Sequence, residues 1–284
     1  MTIFQFLAVL GFVAANAIGV AVHEARAQDP VIPNFLDRHE RFQRPDLSKL
    51  IRLKFLTTTD FPPFNFIDRK KRLAGFHVDL ARAICSELDI LPRCQIQALP
   101  WDELLPAISG GEAEALIAGL EVSEESRKQL AFTRQYLNIP ARFITRKENN
   151  LEPPAYRAIF KKLTGVVKGS SQKTYFEKVF STRKAKIFDT REAAFSALKA
   201  GEIDTVFVDA ISASFWLQST SSDNCCDFLD GAFMSPEFFG NGMAIAVSKD
   251  RPELAEALNF ALYQINAKGK FAELYLRYFP LGLF

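Results

Sequence analysis

Histidine is nearly missing from this chain. There are three in 284 residues, and only His39 and His77 lie beyond residue 27. A His-rich metal site or a His-based catalytic triad therefore has little material. A surplus of one charge is missing too: 35 Lys and Arg against 33 Asp and Glu leave a net +2. The basic residues are scattered, so no nucleic-acid surface is expected. Cysteine is sparse at four residues. Two of these are the adjacent Cys225 and Cys226, with no nearby histidine to complete a metal site. No metal and no cofactor is expected.

Long apolar runs are confined to the N-terminus. Phe4–Val22 is predominantly apolar or small, and Ala25-Arg26-Ala27 is a small-x-small cleavage pattern before Gln28. Residues 1–27 are read as a cleaved signal peptide, although no Lys or Arg precedes the run. A membrane anchor is the competing reading, because the run is nearly long enough to span. No later segment approaches ~18 continuous apolar residues. An exported chain makes disulfides expected. Cys85 falls near the end of a predicted helix and Cys94 opens the next strand, so a short connection brings them together. Cys225 and Cys226 have Cα atoms only about 3.8 Å apart, below the usual ~4.4 Å minimum, so a ring between them is strained and their redox state stays open.

Beyond residue 27 an arm leads into alternating strands and helices. Residues 28–49 form this N-terminal arm, polar and proline-bearing, expected to be loosely attached. "LIRLKFLTTTD" reads as a strand and "FPPFNF" as a Pro-Pro loop. "GFHVDLARAICSEL" becomes a helix whose Leu80, Ala81, Ile84, Cys85 and Leu88 keep a 3.6 period. "CQIQAL" is a strand, and "PWDELLPAISGG" a helix with Asp102 near its start and a glycine stop. The alternation predicts an α/β fold with a largely parallel sheet.

Two distant stretches are built alike. "ELLPAISGGEAEALIAGL" and, ninety positions on, "AAFSALKAGEIDTVFVDA" share a plan of helix, glycine stop, acidic pair and buried strand. Gly111-Glu112-Ala113-Glu114 matches Gly201-Glu202-Ile203-Asp204. Two similarly built lobes are expected, with chance resemblance of two ordinary units as the alternative. In that register Gly119 and Asp209 fall at the carboxyl ends of equivalent strands, where open α/β sheets hold ligands.

"DFPPFNFID", "GFHVDLARAIC", "PWDELLPAI", "ALIAGLEVSEES", "VVKGSSQKTY", "AGEIDTVFVD", "FFGNGMAIAVSKD" and "INAKGKFAELYLRYF" carry a wider likeness. In that order and spacing, from about Leu53 to Phe279, the chain resembles the type 3 extracellular solute-binding proteins, the polar amino-acid-binding components of bacterial ABC importers. The resemblance implies a two-lobed periplasmic-binding-protein fold. Each lobe is a mostly parallel sheet flanked by helices, and two hinge strands join them. Lobe 1 would comprise 50–138 and 240–284, and lobe 2 residues 143–232, with the hinge near 139–142 and 233–239. It also supports the Cys85–Cys94 bridge. It implies a monomeric periplasmic protein that captures a small polar solute, an amino acid or amine, and delivers it to an inner-membrane permease.

Carried over residue by residue, Phe61 and Trp101 become aromatic walls, and Gly119 offers a backbone group. Ser170 and Ser171 match a carboxylate-binding turn, and Asp209 matches the acid that takes the α-ammonium. Read from the residues alone, Trp101 could be a core anchor, the serines an ordinary polar turn and Asp209 a solvated strand end. The departures are as informative. Ser126 stands where family members place an arginine that clamps the ligand's α-carboxylate. Arg127 is one residue late, about 100° around a helical turn. Glu121 replaces a Ser or Thr that faces the ligand, and Thr58 replaces an acid found in some members.

These departures leave two expectations. In one, Arg127 swings in and an amino acid binds. In the other, no carboxylate clamp exists, and Glu121 with Asp209 favours a cationic solute boxed by Phe61 and Trp101. The rival class is a periplasmic enzyme on the same fold, an arogenate or prephenate dehydratase with Glu121 or Asp209 as general acid. No second catalytic partner can be placed for it, so no catalytic residue is assigned and a non-enzyme is expected.

Overall fold

The computed structural model describes residues 32–35, 40–120, 122–279 and 281–284. The signal-peptide reading of residues 1–27, His39 and Glu121 fall outside them.

Two five-stranded sheets organise the chain. The first runs in the order Cys94–Ala98, Leu53–Thr57, Ala115–Leu116, Ala246–Ser248, Leu130–Phe132. The second runs Lys184–Phe188, Leu163–Val167, Thr205–Asp209, Ala141–Arg146, Cys226–Phe228. In each, three parallel strands are followed by an antiparallel one that comes from the far side of a crossing between sheets. The chain passes from the first sheet to the second between Phe132 and Ala141, and returns between Phe228 and Ala246.

The internal repeat has a physical cause that the topology makes visible. Glu114 donates its backbone N–H to Lys54 O (3.1 Å), and its carboxylate accepts the N–H of Lys54 (2.7 Å). Asp204 donates to Leu163 O (2.9 Å), and its carboxylate accepts the N–H of Leu163 (2.8 Å). Each acid therefore clamps the start of the neighbouring parallel strand, where a backbone N–H would otherwise lack a partner. A cation backs each clamp: Arg52 Nε lies 3.2 Å from Glu114, and Lys162 Nζ 3.7 Å from Asp204.

"GFHVDLARAICSEL" forms the helix Phe76–Glu87, burying Phe76, Leu80, Ala81, Ile84 and Cys85 against the first sheet. Gly75 opens it at φ 129°, and a Cβ there would meet Phe64 O at 2.2 Å, so only glycine fits. The "FPPFNF" loop is in fact part of a small sheet, Asp60–Phe61, Asn65–Ile67 and Leu73–Ala74, with the cis Pro62–Pro63 step at its turn. Sulfur atoms of Cys85 and Cys94 are bonded at 1.99 Å, and those of Cys225 and Cys226 at 2.08 Å.

The described part of the arm is not loose. Arg134 forks onto the Glu40 carboxylate (Nη2 to Oε1 2.6 Å, Nε to Oε1 3.1 Å), and that bond holds the guanidinium's pKa above its usual value. Phe35 packs on Phe284 and Phe42 on Tyr263, with ring centroids 5.8 and 5.7 Å apart. Arg93 Nη1 donates to Leu50 O at 2.5 Å. Prolines and polar residues hid the apolar anchors Ile32, Phe35 and Leu47, which pack against the first sheet's core.

Candidate functional site

A cavity of about 730 Å³ lies where the carboxyl ends of the two sheets face each other. Phe61 and Gly119, just past strands of the first sheet, line one side. Ser171, Arg191 and Asp209 line the other, the first two just past parallel strands of the second sheet and Asp209 ending a third. Asn138 and Gly240, from the two crossing segments, complete it. A smaller cavity of about 160 Å³ continues into the second lobe past Ser170, Gln172 and Arg191.

The first wall is built on aromatic stacking. Phe61 lies on Phe64 at 4.8 Å between centroids, and Phe64 lies 4.8 Å from the His77 ring. Gly119 sits under Phe61 at φ 77°, and a Cβ there would come within 2.7 Å of the ring. Behind the wall runs a buried polar chain. Asn65 Nδ2 donates to Thr58 Oγ1 (2.7 Å), which leaves its Oδ1 to accept from His77 Nδ1 (2.7 Å). His77 Nε2 then accepts from the Tyr136 hydroxyl (2.8 Å). The imidazole is thus a neutral Nδ1–H tautomer, and burial pushes its pKa down to about 3. Burial also raises the Tyr136 phenol. Thr58 is buried in this chain rather than in the cavity lining.

The second wall is made of helix starts. Ser170 caps the helix Ser171–Val179, its Oγ accepting from Lys173 N (3.1 Å) and donating to Val167 O (2.7 Å). Asp209 caps the helix Ala210–Gln218, with Oδ1 accepting from Ser212 N (2.8 Å). Its other oxygen stands 3.6 Å from Arg191 Nη1. Arg191 begins the helix Arg191–Lys199, which Thr190 caps through Ala193 N (3.1 Å).

Phe61, Gly119, Ser171 and Asp209 therefore meet around one cavity, with Ser170 in its extension. Trp101, Ser126 and Arg127 are not among the lining residues. Trp101 starts the helix Trp101–Ser109 and is 53% exposed, so it is not a core anchor. Ser126 Oγ is engaged at home, accepting from Ser123 N (3.0 Å). Arg127 is exposed and leans over the Phe132 ring at 5.6 Å. The helix carrying them is a single turn, Ser126–Gln129.

Sequence reasoning missed Asp60, Gln172, Arg191 and Ser212 in the lining. Gln172 adjoins the "KGSS" turn, and Arg191 follows a strand end, the same signal that marked Gly119 and Asp209. Among the described residues no cluster of His, Cys, Asp or Glu has metal-ligand geometry, and no helix is long and apolar enough to cross a membrane.

Two α/β lobes facing a shared cavity define a cleft-type binding protein. Residues 53–281 match the bacterial extracellular solute-binding proteins, family 3, and the chain belongs to that family. ABC transporter arginine-binding protein 1 of Escherichia coli is 28% identical over 229 residues, covering 81% of this chain and 91% of that one. The histidine-binding periplasmic protein of Salmonella typhimurium is 26% identical over 237 residues, covering 82% and 89%. Both relatives are binding proteins by name, not enzymes. Substrate binding domain 2 of Lactococcus lactis GlnP in its open conformation shares the fold, with a TM-score of 0.68 at 16% identity over 82% of this chain and 97% of that one.

Proposed function

We propose that this chain is the exported solute-capturing component of an ABC importer, taking an amino acid or a related amine between its lobes. The observation that carries this is the cavity itself: polar groups at strand ends of both sheets converge on one space between them. The lobes would comprise 50–138 with 240–284, and 143–232, turning about hinges near 139–142 and 233–239. A solute that touches Phe61 and Gly119 on one side and Ser171 and Asp209 on the other gains its full set of contacts only when the lobes close. It therefore shifts the population toward the closed state. Closure also removes water, which strengthens each polar contact. The closed monomer would dock on an inner-membrane permease after cleavage of residues 1–27 and release into the periplasm. The names of the two relatives support an amino-acid cargo.

Titration calorimetry against L-arginine, L-histidine, L-lysine, L-glutamine, choline and putrescine tests the reading. One of these is expected to bind at about micromolar Kd or tighter, near −8 kcal/mol, with loss of affinity in Asp209→Asn. Absence of binding to all of them, with no solute carried through purification, would overturn it.

A further inference from the structure

Among the described residues, the first lobe gives the cavity no cation. Ser126 bonds back to Ser123, and Arg127 lies over Phe132 outside the lining. The second lobe does give one. Among the described lining residues of the main cavity Arg191 is the single cation, 3.6 Å from Asp209, and Asp60 is the other acid in the lining. We propose that Arg191 recognises a carboxylate on the bound solute, so that the ligand is a carboxylate-bearing zwitterion rather than a simple amine. This rests on the cleft being the solute site.

Arg191 lines both the larger cavity and its extension, at the carboxyl end of the strand Lys184–Phe188. One nitrogen holds it in place: Nη1 donates to Ser212 Oγ and faces Asp209 Oδ2 at 3.6 Å. Nε and Nη2 make no hydrogen bond to any described residue, which leaves one edge of the guanidinium fork for a ligand. That edge presents two parallel N–H donors, the geometry that matches a carboxylate bidentately. Tethering by Ser212 and Asp209 orients the fork before the ligand arrives, which lowers the ordering cost of binding.

Its position also breaks a local rule. The first residue of a helix sits in the positive end of the helix dipole, where an acid is favoured and a cation is not. Such violations concentrate at functional sites. With Asp60 and Asp209 as the negative pole and Arg191 as the positive one, the lining is complementary to a molecule carrying an ammonium and a carboxylate. The arginine missing at Ser126 is then replaced in function from the opposite lobe.

Calorimetry on the mature chain with matched pairs tests this: L-arginine against agmatine, L-histidine against histamine, and L-lysine against cadaverine. Each pair differs by the carboxylate alone. The chain should bind the acid of its preferred pair at least about tenfold more tightly than the amine, as expected for a charge-assisted pair. Arg191→Met should bring that ratio near one, and Arg191→Lys should restore part of it, with thermal melts confirming that both variants fold. Equal affinity for acid and amine in the native chain overturns the assignment while leaving the cleft as the solute site. So does a preference that survives Arg191→Met, or one lost in Arg127→Met instead. Binding confined to choline or putrescine also overturns the assignment alone, whereas a chain that binds no member of any pair, nor glutamine, choline or putrescine, and carries no solute through purification overturns the cleft reading and this assignment with it.

Discussion

Gly119 lies so close beneath Phe61 that a Cβ on it would stand 2.7 Å from the ring's Cε1. The contact holds the ring at its edge, while Phe64 stacks on the ring at 4.8 Å between centroids. Gly119→Ala must displace the ring that lines the cavity and also force a side chain into a left-handed conformation at φ 77°. A cost of about 1–3 kcal/mol is the usual scale for such overpacking. Solute affinity should fall, and calorimetry on a variant with an intact thermal transition would read it.

The His77 chain predicts a pH effect on stability, not on charge in the cleft. Its folded pKa of about 3 lies below the unfolded value near 6.5. The unfolded chain therefore binds a proton that the native one refuses. The stabilisation is complete above pH 6.5 and drains as pH falls toward 3, at about 1.4 kcal/mol per pH unit for one proton. Urea unfolding midpoints between pH 6.5 and 5, where most carboxylates remain ionised, should shift accordingly. His77→Gln should flatten that slope.

Glu114 and Asp204 do the same structural work in the two lobes. Asp204→Ala strands the Leu163 N–H at the start of its strand, and Glu114→Ala does so for Lys54 N. Each should destabilise by about 1–3 kcal/mol, the cost of an unsatisfied backbone donor. Since the sites lie in different lobes, the double variant should lose close to the sum. Chemical denaturation of the three variants checks this.

Cys85 and Cys94 tie the end of one helix to the start of the sheet's edge strand, closing a loop of nine residues. Loop-closure entropy for that length is worth about 2–3 kcal/mol. Cys85→Ala with Cys94→Ala should lower the unfolding free energy by that amount in oxidising buffer, and a reductant should have little further effect through this pair.

Much of the fold was legible because its signals are local. The 3.6 period of Leu80, Ile84 and Cys85 acts within one helix, and Glu114 and Asp204 were marked by a repeated helix–glycine–strand pattern, although each bonds a strand 60 and 41 residues away in the chain. Strand-end logic likewise found Gly119 and Asp209. The same logic applies to Arg191, but its pairing with Asp209 was not legible, because the strands leading to the two residues are not neighbours. Leu163–Val167 lies between them in the sheet, and only that crossover order brings the two side chains together. The direction of Arg127 was equally hidden. It depends on a one-turn helix whose first residue, Ser126, bonds back to Ser123 rather than on any periodic pattern.

Small-angle scattering with and without the bound solute tests the account most directly. A solute held between Phe61 and Asp209 must draw the lobes together, so the radius of gyration should fall on binding and stay unchanged in Asp209→Asn under the same solute. Tight binding with an unaltered radius, and with undiminished affinity in Asp209→Asn, would place the solute elsewhere and contradict it.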